Sequence, residues 1–564
     1  MLKIRRYFVV FLFMSLFFFL FLRLFCLQIT DKDKFEGLAG KQHSSVLKIE
    51  PKRGAIFDDH MDPLAINLDA PSVYCNAREI TDPGRTAKEL SEILGIDEEI
   101  ILDKVTRNKA FVWIKRKVEE KTAQEVMSRQ LKGIYIVGES KRNYPSGKIA
   151  SHIIGVAGTD NTGLEGLELL YNNKLKGEPG EKRLLRDAKR RTVFFNKEGS
   201  IPPKNGSNII LTIDSVIQFI AEEELSVMAE KYTPESASVI VIDPETGKIL
   251  AMANYPDYDL NDSRNALKEN MKNCAVTDMY EPGSVFKIIT AGAALNENVI
   301  GLDDKIYCEN GNYKVGGRVL HDYHKYGELT FRDVIVKSSN IGTVKVAQKL
   351  GKNKLYDYIK KFGFGERTGI GLPGEVSGIN RPSGIWSKSD ITTIPMGQGI
   401  AVTSIQMVSA INTIANGGYL MRPYIVDKII TWEGDIDTEI RPEVKRKVLN
   451  PETCDKMREI LKKVITDGTG KRARSKKYEF CGKTGTAQMV DPSGGYYDNK
   501  YYATFVGFAP ADDPVVSIVV VVRDPKKAHF GGTVSAPVFK NIAERVLQYM
   551  GLDRKRTGIS PTEG

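Results

Sequence analysis

The sequence predicts an α+β multidomain chain: an N-terminal transmembrane helix, a strand-rich outer unit with a helical insert, and a large domain in which a five-stranded antiparallel sheet stands beside an all-helical lobe. Three observations predict it. Residues 7–22, YFVVFLFMSLFFFLFL, are apolar throughout and continue through LFCLQI after Arg23, giving about 23 residues, enough to span a bilayer at ~1.5 Å per residue. Strand-like runs occur as a pair near residue 240 and again after residue 478, each set flanked by a helical run, with a long helical middle between them. Strands supplied from both ends of a domain join one sheet and leave the middle as a separate lobe. Finally, 564 residues exceed what one core serves, so an anchor plus two or three folded units is the natural division.

Residues 1–30 read as a short tail and anchor. Lys3, Arg5 and Arg6 precede the apolar run, which puts the N-terminus in the cytoplasm and the rest of the chain outside. A cleaved signal peptide is the alternative, but no small-x-small site follows, and Phe25 before Cys26 is unsuited to lipidation. Residues 31–205 form the outer unit. PKRGAIFDDHMDPLA (51–65) opens a strand at Arg53-Gly54 and turns it at the Asp-rich stretch, and residues 84–130 alternate charged and apolar positions at helical spacing. Arg53, Arg142, Glu165 and Glu168 are expected to form an ion-pair network that fixes irregular strands. The third unit, 206–552, opens with GSNIILTID and a helix carrying Ile217, Ile220, Leu225 and Met228. ASVIVID and KILAMAN follow as strands joined by a turn at Pro244-Glu245-Thr246-Gly247. YEFCGKTGTAQ, YYATFVGFAP and PVVSIVVVVRD supply three more strands, SAPVFKNIAERVLQYM closes as a helix, and 553–564 is a short tail.

The formal net charge of +10 is spread along the chain, with no aromatic-interleaved basic motif; a solvated basic surface, with some attraction to anionic lipid or wall polymer, fits it, and nucleic acid does not. The six cysteines (26, 75, 274, 308, 454 and 481) include no Cys-x-x-Cys. With Cys26 in the anchor an odd number stays outside, so a disulfide framework is not expected. His321 and His324 have metal-like spacing without a third ligand. No metal and no cofactor are expected.

The chemistry concentrates in EPGSVFK, 281–287. Pro282 and Gly283 turn the chain into the helical run IITAGAAL, so Ser284 falls in the first turn and Lys287 one turn further on the same face. A lysine can act as base for a serine hydroxyl only when neutral, which requires desolvation or a second nearby cation. Ser-x-x-Lys recurs at Ser45 and Lys48 in a polar stretch without a helix start, and that copy reads as chance. The copy at 284 has company: KSSN at 337–340 and KTGT at 483–486, in that order. The trio has a known chemical logic in acyl transfer. Ser284 attacks an amide carbonyl and Lys287 takes its proton; Ser338 relays a proton to the leaving amine, and Asn340 orients Lys287 and the substrate backbone. Lys483 supplies a fixed positive charge, Thr484 and Thr486 hold a carboxylate through their hydroxyls, and Gly485 lets an extended substrate approach. The backbone N–H groups of Ser284 and Thr486 form the oxyanion hole.

These residues resemble the penicillin-binding protein transpeptidases. LTID (211–214), YEPGSVFK, KSSN with IGTVKVAQKLG behind it, GQGIAVT (397–403) and CGKTGTAQ look like that family's landmarks, and RGAIFDD with the RNYPSG and GLEGLE segments resembles the N-terminal pedestal of its class B, monofunctional branch. The resemblance implies a serine beta-lactamase/transpeptidase-like domain on an elongated, mostly-β, dimerisation-type pedestal. It implies a serine-type D,D-transpeptidase that acylates Ser284 with the D-Ala-D-Ala end of a peptidoglycan stem peptide and passes the acyl group to a neighbouring amine, with beta-lactams as inhibitors. The implied partners are a separate membrane glycosyltransferase and division proteins, because no glycosyltransferase domain fits between anchor and pedestal. The YEPGS context looks like division-specific members. DDHMDPLA departs from the Arg-Asn-Gly turn usual in relatives, and Ser339 in the middle of KSSN favours a transpeptidase over a class A beta-lactamase. A non-catalytic division scaffold and a D,D-carboxypeptidase or beta-lactamase are the alternatives.

Overall fold

In the computed structural model, residues 2–35, 44–186, 192–315 and 317–552 are described, so the expected tail 553–564 lies outside the described residues. The chain forms two compact units, Met1–Lys52 with Lys176–Gly206 and Arg53–Leu175 with Ser207–Gly564. The outer unit expected over 31–205 is thus divided between them.

The first unit holds the apolar helix Leu2–Phe25, continued by a π-helical turn Cys26–Thr30. Among the described residues Leu2–Thr30 is the one helix long and apolar enough to cross a membrane. Strands Ser44–Ile49, Gly180–Arg186 and Thr192–Ile201 form an antiparallel sheet. The Ser45/Lys48 pattern therefore lies on a strand and not at a helix start.

In the second unit, the long strand Pro63–Cys75 pairs with Ile134–Asn143 and with Val112–Lys115. Helices Pro83–Leu94, Glu98–Val105 and Glu120–Ser128 pack Leu90, Ile101 and Val126 against Val73 and Cys75. The helical insert is present, but Val112–Lys115 makes it a helix-and-strand unit; a run of four residues is too short for periodicity to betray. The first of these helices is capped at both ends: Asp82 accepts the N–H of Arg85, and Gly95 closes it at φ +62°. The DDHMDP stretch makes a turn of its own. Asp58 accepts the N–H groups of His60 and Asp62 and the hydroxyl of Ser215.

The remaining elements, in chain order, are α1 (Ser215–Tyr232), β1 (Ser236–Ile242), β2 (Ile249–Tyr255), α2 (Lys287–Asn296), α3 (Asn340–Leu350), α4 (Ser404–Ala415), β3 (Cys481–Val490), β4 (Tyr496–Ala509), β5 (Val516–Arg523) and α5 (Gly531–Tyr549). The five strands form one antiparallel sheet in the order β2-β1-β5-β4-β3. Strand β5, VSIVVVVR, is apolar without alternation because both faces are covered. Ile518, Val520 and Val522 pack under α1 and α5, whereas Val519 and Val521 face the core shared with α4 and the lobe. Helix α5 starts earlier than expected and contains Pro537. A proline leaves the carbonyl four residues back without its helical donor, and Tyr232 Oη donates to that carbonyl, Thr533 O, at 3.3 Å. The lobe is not all-helical: Lys305–Tyr307 pairs with Glu328–Thr330, and Asn312–Val315 with Arg318–His321. The second hairpin matters for the site.

Candidate active site

Gly283–Phe286 is a 3-10 turn that runs directly into α2, with Pro282 at its start and Gly283 at φ +57°. The turn is wedged between two neighbours. A Cβ on Gly283 would lie 3.0 Å from Thr486 O, and one on Gly397 would lie 2.2 Å from Gly283 O, whose N–H donates to Gly397 O at 3.0 Å. Glu281 completes the brace by accepting the N–H of Gly399 (2.7 Å) and the hydroxyl of Tyr496 (3.0 Å). The GQG segment is thus a support for the nucleophile turn. Its glycines were visible in the sequence; their purpose was not.

Ser284 lines a cleft of about 820 Å³ together with Ser338, Asn340, Thr484, Gly485 and Thr486. The three distant motifs therefore converge. Lys287 and Lys483 are both fully buried, and their amines meet on Ser338. Lys287 Nζ donates to Ser338 O (2.6 Å) and Asn340 Oδ1 (2.8 Å) and lies 3.2 Å from Ser338 Oγ, while Lys483 Nζ lies 3.0 Å from the same Oγ and 3.1 Å from Thr484 O. Ser338 sits at φ +59°, a conformation non-glycine residues avoid and hold only when their surroundings impose it.

Burial dominates the electrostatics. It pulls the Lys287 amine down to about 7, opposed by the charge of Asp322, and it pulls Lys483 well below the ordinary lysine range, helped by repulsion from Lys287. Near neutral pH the site thus contains uncharged amine, the form a general base requires. A neutral amine keeps two N–H donors and one lone pair, so an uncharged Lys287 can still donate to Ser338 O and Asn340 Oδ1 while its lone pair is free to accept a proton.

Three expectations change. Among the described residues Ser284 Oγ makes no hydrogen bond, because the bonds of Lys287 go to the 338–340 turn. Lys483 is not a fixed positive charge, since it is buried and no carboxylate lies within reach of it among the described residues. Gly485 does not make room for substrate: a Cβ there would lie 2.9 Å from Pro282 O and 2.9 Å from Val285 Cγ1, so this glycine admits the nucleophile turn. The hydroxyls of Thr484 and Thr486 have partners of their own, Thr469 Oγ1 at 2.6 Å and the N–H of Gly531 at 3.1 Å, and the Thr486 hydroxyl, which accepts there, keeps its proton to donate.

The pedestal residues form a separate cluster. Arg53 donates to Glu168 Oε2 (2.7 Å), and Arg142 to Glu168 Oε1 (2.6 Å) and to Gly54 O (2.8 Å). Glu165 stands outside this network; half-buried, its carboxyl is raised by burial. Among the described residues, one group with the composition and spacing of a metal site occurs, Asp58, Asp59 and His60, two of them exposed. His321 is bonded to Asn312, and His324 meets the rings of Tyr323 and Tyr326 edge-on.

The residue the sequence did not reveal is Asp322. It follows the 312–321 hairpin and lies under the KSSN turn, where it accepts the N–H groups of Asn340 and Ile341 and the Ser339 hydroxyl. No motif marks it, because it is brought there by a short hairpin.

Known proteins share the fold and part of the sequence. Residues 237–544 match the family described as the penicillin binding protein transpeptidase domain, and residues 48–211 match the penicillin-binding protein dimerisation domain. The chain is 38% identical over 95% of its length to stage V sporulation protein D of Bacillus subtilis, covering 84% of that protein. It is 32% identical to the peptidoglycan D,D-transpeptidase FtsI of Escherichia coli, covering 95% of this chain and 90% of the relative. Among solved structures, penicillin binding protein 3 of Mycobacterium tuberculosis, complexed with aztreonam, superposes with a TM-score of 0.71 at 28% identity, over 91% of this chain and 98% of the other. With both domain matches in sequence order and the Ser284, Ser338 and Lys483 motifs gathered in one cleft, the chain belongs to the penicillin-binding proteins, as a class B member with a dimerisation domain and a transpeptidase domain.

Proposed function

We propose that this protein is a serine-type peptidoglycan D,D-transpeptidase that cross-links stem peptides through an acyl-enzyme at Ser284. The observation that carries the reading is the pair of buried amines, Lys287 and Lys483, meeting on the Ser338 hydroxyl beside Ser284. Strand β3 is an edge strand of the sheet, so an extended peptide can lie along it, with its terminal carboxylate toward Thr484, Thr486 and Lys483. An arriving carboxylate favours protonated Lys483 and competes for the Ser338 proton, which releases the Lys287 lone pair for Ser284.

The Ser284 oxygen then bonds to the carbonyl carbon of the penultimate D-Ala, its proton passing to Lys287. The oxyanion is held by the N–H groups of Ser284 and Thr486. The C–N bond to the terminal D-Ala breaks as Ser338 delivers a proton to the leaving amine and takes one back from Lys287, 3.2 Å away, which leaves Lys287 neutral again. A neighbouring stem's amine attacks the ester, and the proton it sheds restores the Ser284 hydroxyl. A beta-lactam enters by the same first step.

The Leu2–Thr30 helix anchors the protein once in the cytoplasmic membrane. Lys3, Arg5 and Arg6 hold the N-terminus inside, and the catalytic domain works outside, on strands polymerised by a separate membrane glycosyltransferase and in company with division proteins. On the YEPGS resemblance we place this work in septal wall synthesis. The test uses the full chain in detergent, a fluorescent penicillin and mass analysis of the modified peptide. Ser284→Ala loses covalent label with its thermal unfolding unchanged; a labelled Ser284→Ala protein would refute the site.

A further inference from the structure

The KSSN turn carries all three atoms that Lys287 hydrogen-bonds, Ser338 O, Ser338 Oγ and Asn340 Oδ1, and something must hold that turn in place with Ser338 at positive φ. Within the lobe this falls to one side chain. Asp322 Oδ1 accepts the N–H groups of Asn340 and, at 3.1 Å, Ile341, the first residues of α3. Its Oδ2 accepts the Ser339 hydroxyl at 2.6 Å, and Ser339 Oγ in turn caps α3 by accepting the N–H of Gly342 at 2.9 Å. A carboxylate over the free N–H groups at a helix start is the favoured arrangement for a negative charge. The carbonyl next to it, His321 O, accepts from Asn340 Nδ2 at 2.9 Å, which turns the amide so that Oδ1 faces Lys287. One short segment, 321–322, therefore orients the Asn340 side chain, its backbone and Ser339 together.

The charges around Lys287 can be enumerated. Lys483 faces it from β3, and the oxygens of Ser338 and Asn340 face it from the turn. On the far side of the turn Lys345 is paired with Glu309 at 2.6 Å. Lys337 is exposed and lies over the Tyr326 ring. Among the described residues Asp322 is the one carboxylate whose charge bears on Lys287, and it opposes burial there.

We propose that Asp322 is a positioning residue of the transpeptidase: its carboxylate clamps the 338–341 turn and supplies the negative charge that the buried lysine pair otherwise lacks. The inference rests on the acyl-transfer reading above. Its physical content has two separable parts. The hydrogen bonds set how well Ser338 and Asn340 are placed, and so the maximal acylation rate. The charge favours the protonated form of Lys287, and so sets the pH at which the base becomes active.

The experiment is the rate of acylation of the full chain in detergent by a fluorescent penicillin, measured from acid to mildly alkaline pH. For the unmodified protein the rate rises through about pH 7, as Lys287 loses its proton. Asp322→Asn keeps an acceptor for the two N–H groups and removes the charge. Its rising limb is expected to move down by about one pH unit, with a lower plateau. Asp322→Ser is a second neutral variant, and a similar downward move is expected. Ser339→Ala removes one bond to the carboxylate and leaves the charge, so its plateau falls while its midpoint stays. A midpoint in both neutral variants equal to that of the unmodified protein, with only the plateau reduced as in Ser339→Ala, overturns the proposal and makes Asp322 a structural brace. A Ser284→Ala control run alongside separates the two levels: label on that control sinks the acyl-transfer reading itself, whereas an unlabelled control with an unmoved Asp322→Asn midpoint sinks only the assignment of Asp322.

Discussion

Two clusters of buried cationic side chains lie in the same compact unit, and they were built for opposite ends. In the pedestal part Arg53 and Arg142 close on Glu168, and all three side chains are almost wholly buried. In the cleft Lys287 and Lys483 close on a serine hydroxyl with no carboxylate between them. Burial lowers the proton affinity of Arg53 as well, but Glu168 counteracts it, and a guanidinium stays charged at any ordinary pH. The arginines are therefore permanent ions that demand a counter-ion and return a rigid joint. The lysines can shed their protons, and once neutral each has a lone pair that can accept one. The difference teaches that burial alone specifies neither structure nor chemistry; the residue type and the presence of a carboxylate decide which one results.

The comparison can be broken most severely at Lys287. Lys287→Arg keeps a cation there but cannot supply an uncharged nitrogen, so penicillin acylation falls by about a hundred- to ten-thousand-fold, while thermal unfolding in the same sample holds the fold constant. A variant that still acylates at a near-normal rate would remove the base from the cleft. Next in size is Glu168→Gln, which strands two buried guanidinium groups and costs about 3–5 kcal/mol in denaturant unfolding. The acylation rate per folded molecule is expected to stay unchanged, which is what distinguishes the structural cluster from the catalytic one. The reciprocal exchange, Arg53→Lys, is smaller. Lysine cannot reproduce the four bonds Arg53 makes to Glu168 Oε2, Glu168 O, Asn161 O and Asn172 Oδ1, and the loss is about 1.5–3 kcal/mol.

The smallest effect is in the pH dependence of stability. Lys287 in the folded protein titrates near 7, against 10.5 for the ordinary group, so between those values the unfolded chain binds more protons. Stability linked to this group is therefore complete above pH 10.5, declines as pH falls toward 7, and is flat below. Lys287→Met should flatten the slope of unfolding free energy across that window by about 1 kcal/mol per pH unit. Glu168→Gln should not alter that slope, and an equal change in both variants would show that the two clusters are not electrostatically distinct.

How much of this was legible in the sequence follows from the range of each interaction. Ser284 and Lys287 sit three apart on one helix, so local periodicity sufficed, and the order of KSSN and KTGT supplied the rest of the constellation. The apolar runs of β1 and β5 announced strands, and their lack of alternation is that of a sheet covered on both faces. Gly485 was misread because a glycine announces only that something comes close, and here it is Pro282 and Val285. The hairpin ahead of Asp322 was missed because strands of three or four residues carry too little pattern, and Glu165 was grouped with the arginines because nearness in sequence to Glu168 does not give its direction.

By itself the sequence determined the identity of the groups, their order, the apolar helix at the N-terminus and the layered domain that carries the cleft, since these depend on composition, periodicity and short spacing. Tertiary structure alone decided which of those groups are charged and which way they point. Proton affinity depends on what lies within a few ångströms in three dimensions: residues 322 and 338 become neighbours of Lys287 only once the lobe has folded, and Lys483 only once the lobe has closed on the sheet.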